Sequence, residues 1–120
     1  MILIIGGAYQ GKLDFAKETF GITDGDVHTC GVGEIDFSKR CTYKIEEFTY
    51  NHPDPIGYFK AHREDWKDSI LILQDIFCGV APMGAENRAW RQNTGRLSQY
   101  LSKEATQVSR IFCGLEQRLK

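Results

Sequence analysis

The residue types and spacing best suited to chemistry stand near the start of the chain, where Gly6-Gly7-Ala8-Tyr9-Gln10-Gly11-Lys12 satisfies G-x-x-x-x-G-K. Glycines at these positions let successive backbone N–H groups wrap a chain of phosphates. A helix N-terminus behind them adds partial positive charge, and the lysine reaches the terminal phosphates. Gly6, Gly7, Ala8, Tyr9, Gln10, Gly11, Lys12 and Leu13 are therefore the candidate contacts for the phosphates of ATP or GTP, with Lys12 as the candidate catalytic cation. Chance alone produces the three fixed positions in a chain of this length about 4 times in 100, and requiring a strand before and a helix after lowers that several-fold. Leu13 stands where a serine or threonine would normally ligate magnesium, so metal binding there is impaired or rerouted.

Asp75 closes the apolar run Ser69-Ile70-Leu71-Ile72-Leu73-Gln74-Asp75. A parallel sheet delivers such a strand-end carboxylate to the ligand crevice, where it orders Mg2+ or its waters. Asp75 is thus the candidate metal ligand and second catalytic residue, against the alternative of a solvated strand end or a cap. Arg88 and Arg91, three residues apart, share a helical face and read either as anion contacts or as a solvated surface, and Arg96 follows Gly95. His28, His52 and His62 lack the spacing of a metal site. Trp66 and Trp90 fall at helical apolar positions and read as core or subunit-contact residues. Cys30, Cys41, Cys78 and Cys113 are dispersed without a C-x-x-C pair, the pattern of reduced, mostly buried thiols.

Positioning the glycine loop requires a strand before it and a helix after it. Ile2-Leu3-Ile4-Ile5 is a continuously apolar, β-branched run, as in a strand buried on both faces. Leu13, Ala16 and Phe20 recur at helical spacing, and Gly21 supplies a stop. A second strand is expected over Asp26 to Cys30, and the alternation of Tyr43 to Phe48 predicts an edge strand or hairpin arm. Asp54 and Pro55 form an N-cap and N1 pair ahead of a short helix marked by Ile56, Phe59 and Trp66. Cys78-Gly79-Val80-Ala81-Pro82 reads as a turn-rich loop. Ala85, Ala89, Trp90, Leu97, Leu101 and Ala105 follow one face of a long helix, and Val108 to Cys113 closes as a strand. Alternating strands and helices predict a three-layer α/β domain with a mostly parallel sheet of three to five strands.

With 120 residues, 42% of them apolar and 26% charged, the chain fits one folded domain, residues 1–120. A formal net charge of -1 without a basic block argues against nucleic acid or an anionic membrane surface as partner. The apolar start from Met1 to Ile5 is too short for a signal-peptide core or a membrane span, so a cytoplasmic protein is expected.

GGAYQGK behind a strand at the first residues resembles the GGARSGKS start of the bifunctional adenosylcobinamide kinase/adenosylcobinamide-phosphate guanylyltransferases. ILILQDIFCGVAP from Ile70 is similar to the apolar strand, Asn-Glu-Val-Gly and G-[IV]-[VA]-P loop of that family. The spacing from Pro82 to Arg88, Trp90-Arg91, Gly95-Arg96 and Gln99 matches its R-x-F-R-D-x-x-G-R-x-N-Q helix without a gap. The tail from Ile111-Phe112-Cys113-Gly114 to Leu119-Lys120 looks like its final strand and ending. The resemblance covers the chain up to Phe20 and again from Ile70, and only the glycine loop is shared widely with other families.

This resemblance implies a RecA-like P-loop nucleotide-binding domain that phosphorylates the side-chain hydroxyl of adenosylcobinamide with ATP or GTP and Mg2+. It places Gly6, Gly7, Gly11 and Lys12 on phosphate, Asp75 at an acidic position of the family, and Arg88, Arg91 and Gln99 beside the site. It also implies a small homo-oligomer. The middle of the chain is much shorter than in the bifunctional enzymes and lacks both their H-x-x-x-R-P stretch and their D-C-L-T-x-W segment, so guanylyl transfer is not expected. Leu13 and the missing segment leave a nucleotide-binding or regulatory homologue without turnover as the alternative.

Overall fold

β1 (Ile2–Gly6) runs through the middle of a sheet ordered β2-β3-β4-β1-β5-β6, with β2 (Val27–Thr29), β3 (Cys41–Tyr43), β4 (Ile70–Gln74), β5 (Gln107–Phe112) and β6 (Leu115–Arg118). This computed structural model describes residues 1–76 and 85–120; the loop expected at 78–82 lies outside the described residues, as does Cys78. β1 pairs in parallel with β4, Leu3 against Leu71, and with β5, Leu3 against Val108. The β2–β3 and β3–β4 pairs are also parallel, and among the described residues only β5–β6 is antiparallel. The two uninterrupted apolar runs thus occupy adjacent central positions, where both of their faces are covered.

Side-chain alternation divides the core between the two faces of the sheet. Ile4, Ile70, Ile72 and Ile111 point to one face and pack on Ala16 of α1 (Lys12–Phe20), with Ile22 and Cys41 beside them. Leu3, Leu71, Leu73 and Val108 point to the other face. There they meet Phe48 of α2 (Ile45–Asn51), Phe59 of α3 (Pro55–Ala61), Trp66 of α4 (Arg63–Trp66), and Leu97 and Leu101 of α5 (Ala85–Glu104). The result is an α/β domain with helices on both faces of a mostly parallel sheet. Among the described residues no helix is long and apolar enough to cross a membrane.

The helix boundaries follow the local chemistry. Gly21 ends α1 at φ 65°, its N–H donating to the Lys17 carbonyl. Asp54 caps α3 by accepting from the Gly57 N–H at 3.1 Å, with Pro55 in the first turn. On α5 the buried stripe is Thr94, Leu97 and Leu101, continued by half-buried Trp90, whereas Ala89 is exposed. Ala89 therefore leaves the single face expected for it.

Two expectations are corrected. Tyr43 to Phe48 is not one extended arm: β3 ends at Tyr43, Lys44 takes a left-handed conformation at φ 59°, and α2 begins at Ile45. That one residue reverses the chain, and Ile45, Phe48 and Thr49 are buried at helical spacing. The sheet also has six strands among the described residues, not three to five. The extra edge strand β6 arises because Cys113 and Gly114, at φ 51° and 77°, form a two-residue hairpin turn behind β5.

Among the described residues one buried side-chain polar atom has no hydrogen-bond partner. The Thr42 hydroxyl on β3 lies in a fully buried side chain without a hydrogen-bond partner. An unsatisfied buried hydroxyl costs stability that an isosteric methyl does not. Thr42→Val is predicted to leave the thermal midpoint unchanged or to raise stability by about 1 kcal/mol. A drop of several degrees in a melting experiment would show that the hydroxyl has a partner.

Candidate phosphate-binding cleft

The glycine loop joins the C-terminal end of β1 to the N-terminus of α1, the end of a parallel sheet at which ligands bind. Gly6 is required by close approach: a Cβ there would lie 2.6 Å from the carbonyl oxygen of Ile111. Gly11 is required by conformation, since it opens α1 at φ 88°. Between them Tyr9 is also left-handed, at φ 59°, and its ring stands fully exposed at the tip. Gln10 ties the loop to the β5–β6 turn. Its Oε1 accepts from the Cys113 N–H at 2.6 Å, and its carbonyl accepts from the Gly114 N–H at 2.9 Å.

Lys12 begins α1 with its side chain buried, and its Nζ donates to the Gly7 carbonyl at 2.6 Å. Burial lowers its pKa from the usual lysine range, and the negative charge of Glu46 partly opposes that shift. The ammonium therefore sits against the glycine loop, held by the Gly7 carbonyl oxygen.

Glu46 is the cleft-lining carboxylate that the sequence pattern hides. Placed in the first turn of α2, it is 5% exposed, and its Oε1 accepts from the Gln74 N–H at 2.9 Å where β4 ends. Its main chain is braced as well: the indole Nε1 of Trp90 on α5 donates to the Glu46 carbonyl at 2.9 Å and to Thr49 Oγ1 at 3.0 Å. Thr49 and Thr94 hydroxyls close the contact at 2.7 Å. Trp90 is thus a brace between α5 and α2. A helical reading of Ile45, Phe48 and Thr49 would have turned Glu46 toward the glycine loop; an alternating one does not.

Ala8, Lys12, Leu13, Tyr43, Glu46 and Gln74 are among the residues that line a cleft of about 570 Å3 between the loop and α2. Most of the loop residues selected from the sequence meet here: Ala8, Tyr9, Gln10, Gly11, Lys12 and Leu13 all line it. Gly6 and Gly7 form its approach from β1. Asp75 is half-buried one residue beyond the lining residue Gln74, its N–H donating to the Gly6 carbonyl at 2.7 Å. Arg88 and Gln99 are exposed and Arg91 half-buried on α5, and none of the three lines this cleft.

Lys12 and Lys44 supply two ammonium groups to the cleft, against the carboxylates of Asp14, Glu46 and Glu47. No group of three or more His, Cys, Asp or Glu side chains that could hold a metal ion occurs among the described residues. A divalent cation arriving with a polyphosphate would draw most of its ligands from phosphate oxygens and water, as Mg2+ does. His52 and His62 lie elsewhere, in an aromatic cluster with Phe48 and Tyr58. Cys30 and Cys41 are buried free thiols whose pKa burial pushes up to about 12, whereas Cys113 is exposed on the turn that braces the loop.

No protein-family model matches the chain, and no curated protein matches it.

Gly6→Ala forces a backbone clash between β1 and β5 and is expected to cost about 2 kcal/mol or more of stability, read by urea unfolding; wild-type stability would contradict the close approach. Native chain treated with a small thiol reagent should be modified at Cys113 and spared at Cys30 and Cys41, whose burial and raised pKa leave almost no accessible thiolate at neutral pH. Labelling of either buried thiol at the Cys113 rate, read by peptide mass, would contradict this packing.

Proposed function

We propose that the chain binds the polyphosphate of ATP or GTP in the loop from Gly6 to Leu13 as a P-loop protein, and that it transfers the terminal phosphoryl group to a small-molecule hydroxyl. The observation that carries the reading is Lys12: a buried ammonium at the start of a helix, held by the Gly7 carbonyl and opening on a cleft of about 570 Å3. A phosphate oxygen is a stronger acceptor for that ammonium than a carbonyl is, and the α1 N-terminus supplies further donors.

The carboxylates beside the loop support a cation as co-ligand, because a bare triphosphate would meet Asp14, Glu46 and Glu47. Mg2+, when bound, neutralises charge on the transferring group. Glu46 and Asp75 are the carboxylates proposed to orient its waters, Glu46 from within the cleft and Asp75 from the end of β4. The acceptor rests on the family resemblance alone, which names the adenosylcobinamide side-chain hydroxyl. Arg88, Arg91 and Gln99 enter the proposal on the same resemblance.

Leu13 favours a second reading. It lines the cleft with an apolar side chain at the position of the usual metal-ligating hydroxyl, as suits a homologue that keeps the nucleotide without turning it over.

Calorimetry with ATP and GTP, with and without Mg2+, tests the binding step. Lys12→Ala is expected to weaken triphosphate binding by about 1.5 to 3 kcal/mol, the scale of a hydrogen bond to a charged group. Unchanged affinity would make the loop structural. Because burial lowers the Lys12 pKa and only the ammonium binds phosphate, affinity should fall at a lower pH than for an ordinary lysine. Lys12→Arg should hold its affinity through that range. Incubation with adenosylcobinamide, either nucleotide and Mg2+ tests turnover: slow formation of adenosylcobinamide phosphate, raised by Leu13→Ser and lost in Glu46→Gln, supports the kinase. Binding without product supports the second reading.

A further inference from the structure

We infer that β6 is a self-complementary dimerisation strand, pairing antiparallel with β6 of a second copy of this chain to continue the sheet across a two-fold axis. The inference does not rest on the nucleotide reading. The outer side of β6 pairs with no strand among the described residues. All four of its residues are exposed.

Backbone parity fixes which groups are available. The two-residue turn makes Phe112 and Leu115 a hydrogen-bonded pair, so the N–H and C=O groups of Leu115, Gln117 and Leu119 face β5. The Leu119 N–H indeed donates to the Val108 carbonyl at 2.8 Å. The main-chain groups of Glu116 and Arg118 then face outward. A dyad through Gln117 sets Glu116 of one copy opposite Arg118 of the other, twice, with both main-chain bonds of each pair satisfied. A dyad on Glu116 or on Arg118 sets like charges against each other, which is unfavourable. Only one of these three registers is complementary.

The same register solves a second problem. Phe112, Leu115 and Leu119 are 60%, 73% and 53% exposed, and they share the face of the hairpin opposite to Glu116 and Arg118. In the dimer, Leu115 of one copy lies across from Leu119 of the other, so the apolar side chains of the two edges pack side by side. Glu116 already accepts from Ser109 Oγ at 2.6 Å and lies 3.6 Å from Arg118 Nε in its own chain, so this register joins two such pairs into one alternating four-charge row. The strand is short, so the dimer is reversible and concentration-dependent.

Sedimentation of the full chain up to about 1 mM should show monomer passing to dimer. Glu116→Arg and Arg118→Glu, each alone, place like charges opposite each other and should weaken the dimer at least about tenfold. Mixing these two single variants restores both opposite-charge pairs in a heterodimer. The double reversal Glu116→Arg/Arg118→Glu restores them in a homodimer. Recovery in the mixture also shows that the single variants are folded. A monomer at every concentration, or an assembly indifferent to the single reversals, overturns the inference.

Discussion

Central placement of β1 is the constraint on which the cleft depends. Its parallel pairing with β4 and β5 requires Gly6 to pass so close to Ile111 that no side chain fits between them. The chain therefore leaves the sheet at Gly6 with a backbone free of steric bulk, and the turn into α1 can be tight. Pairing with β4 in the same register brings the Asp75 N–H onto the Gly6 carbonyl and sets Gln74 beside the loop. Hydrophobic burial on both faces fixes that register, because a one-residue slip would exchange Leu3 and Ile4 between two different cores.

Much of this arrangement was legible in the sequence because the signals there are local. A continuous β-branched run, two positions where only glycine serves, and apolar residues at helical spacing each specify their own backbone. The short strand at Val27–Thr29, the cap at Asp54 and the stop at Gly21 were readable for the same reason. The failures lie where a single residue takes a conformation its type does not advertise. Lys44 at positive φ converts an alternating pattern into a strand followed by a helix, and Cys113 at positive φ starts a hairpin that asparagine or glycine would have announced.

The first of these conceals a cleft residue. With Tyr43 to Phe48 extended, nothing in the pattern turns Glu46 toward the glycine loop. With α2 in place, Glu46 is held from three sides: by the Gln74 N–H on its carboxylate, by Trp90 on its carbonyl, and by the helix itself. A carboxylate so constrained has its position set by the fold itself.

The loop and α2 are positioned by different parts of the chain, and the cleft lies where the two meet. Gln10 fastens the loop to the β5–β6 turn, whereas Trp90 and Thr94 fasten α2 to α5. Lys12 and Glu46 thus belong to separately braced units that face each other across the cleft, and their charges act on each other there. Drawing Lys12 away from the Gly7 carbonyl onto an anion requires no movement of either brace, since neither involves the lysine. The reorganisation that the proposed anion binding would need is therefore confined to one side chain, and the interaction gained would not be spent on rearranging the fold.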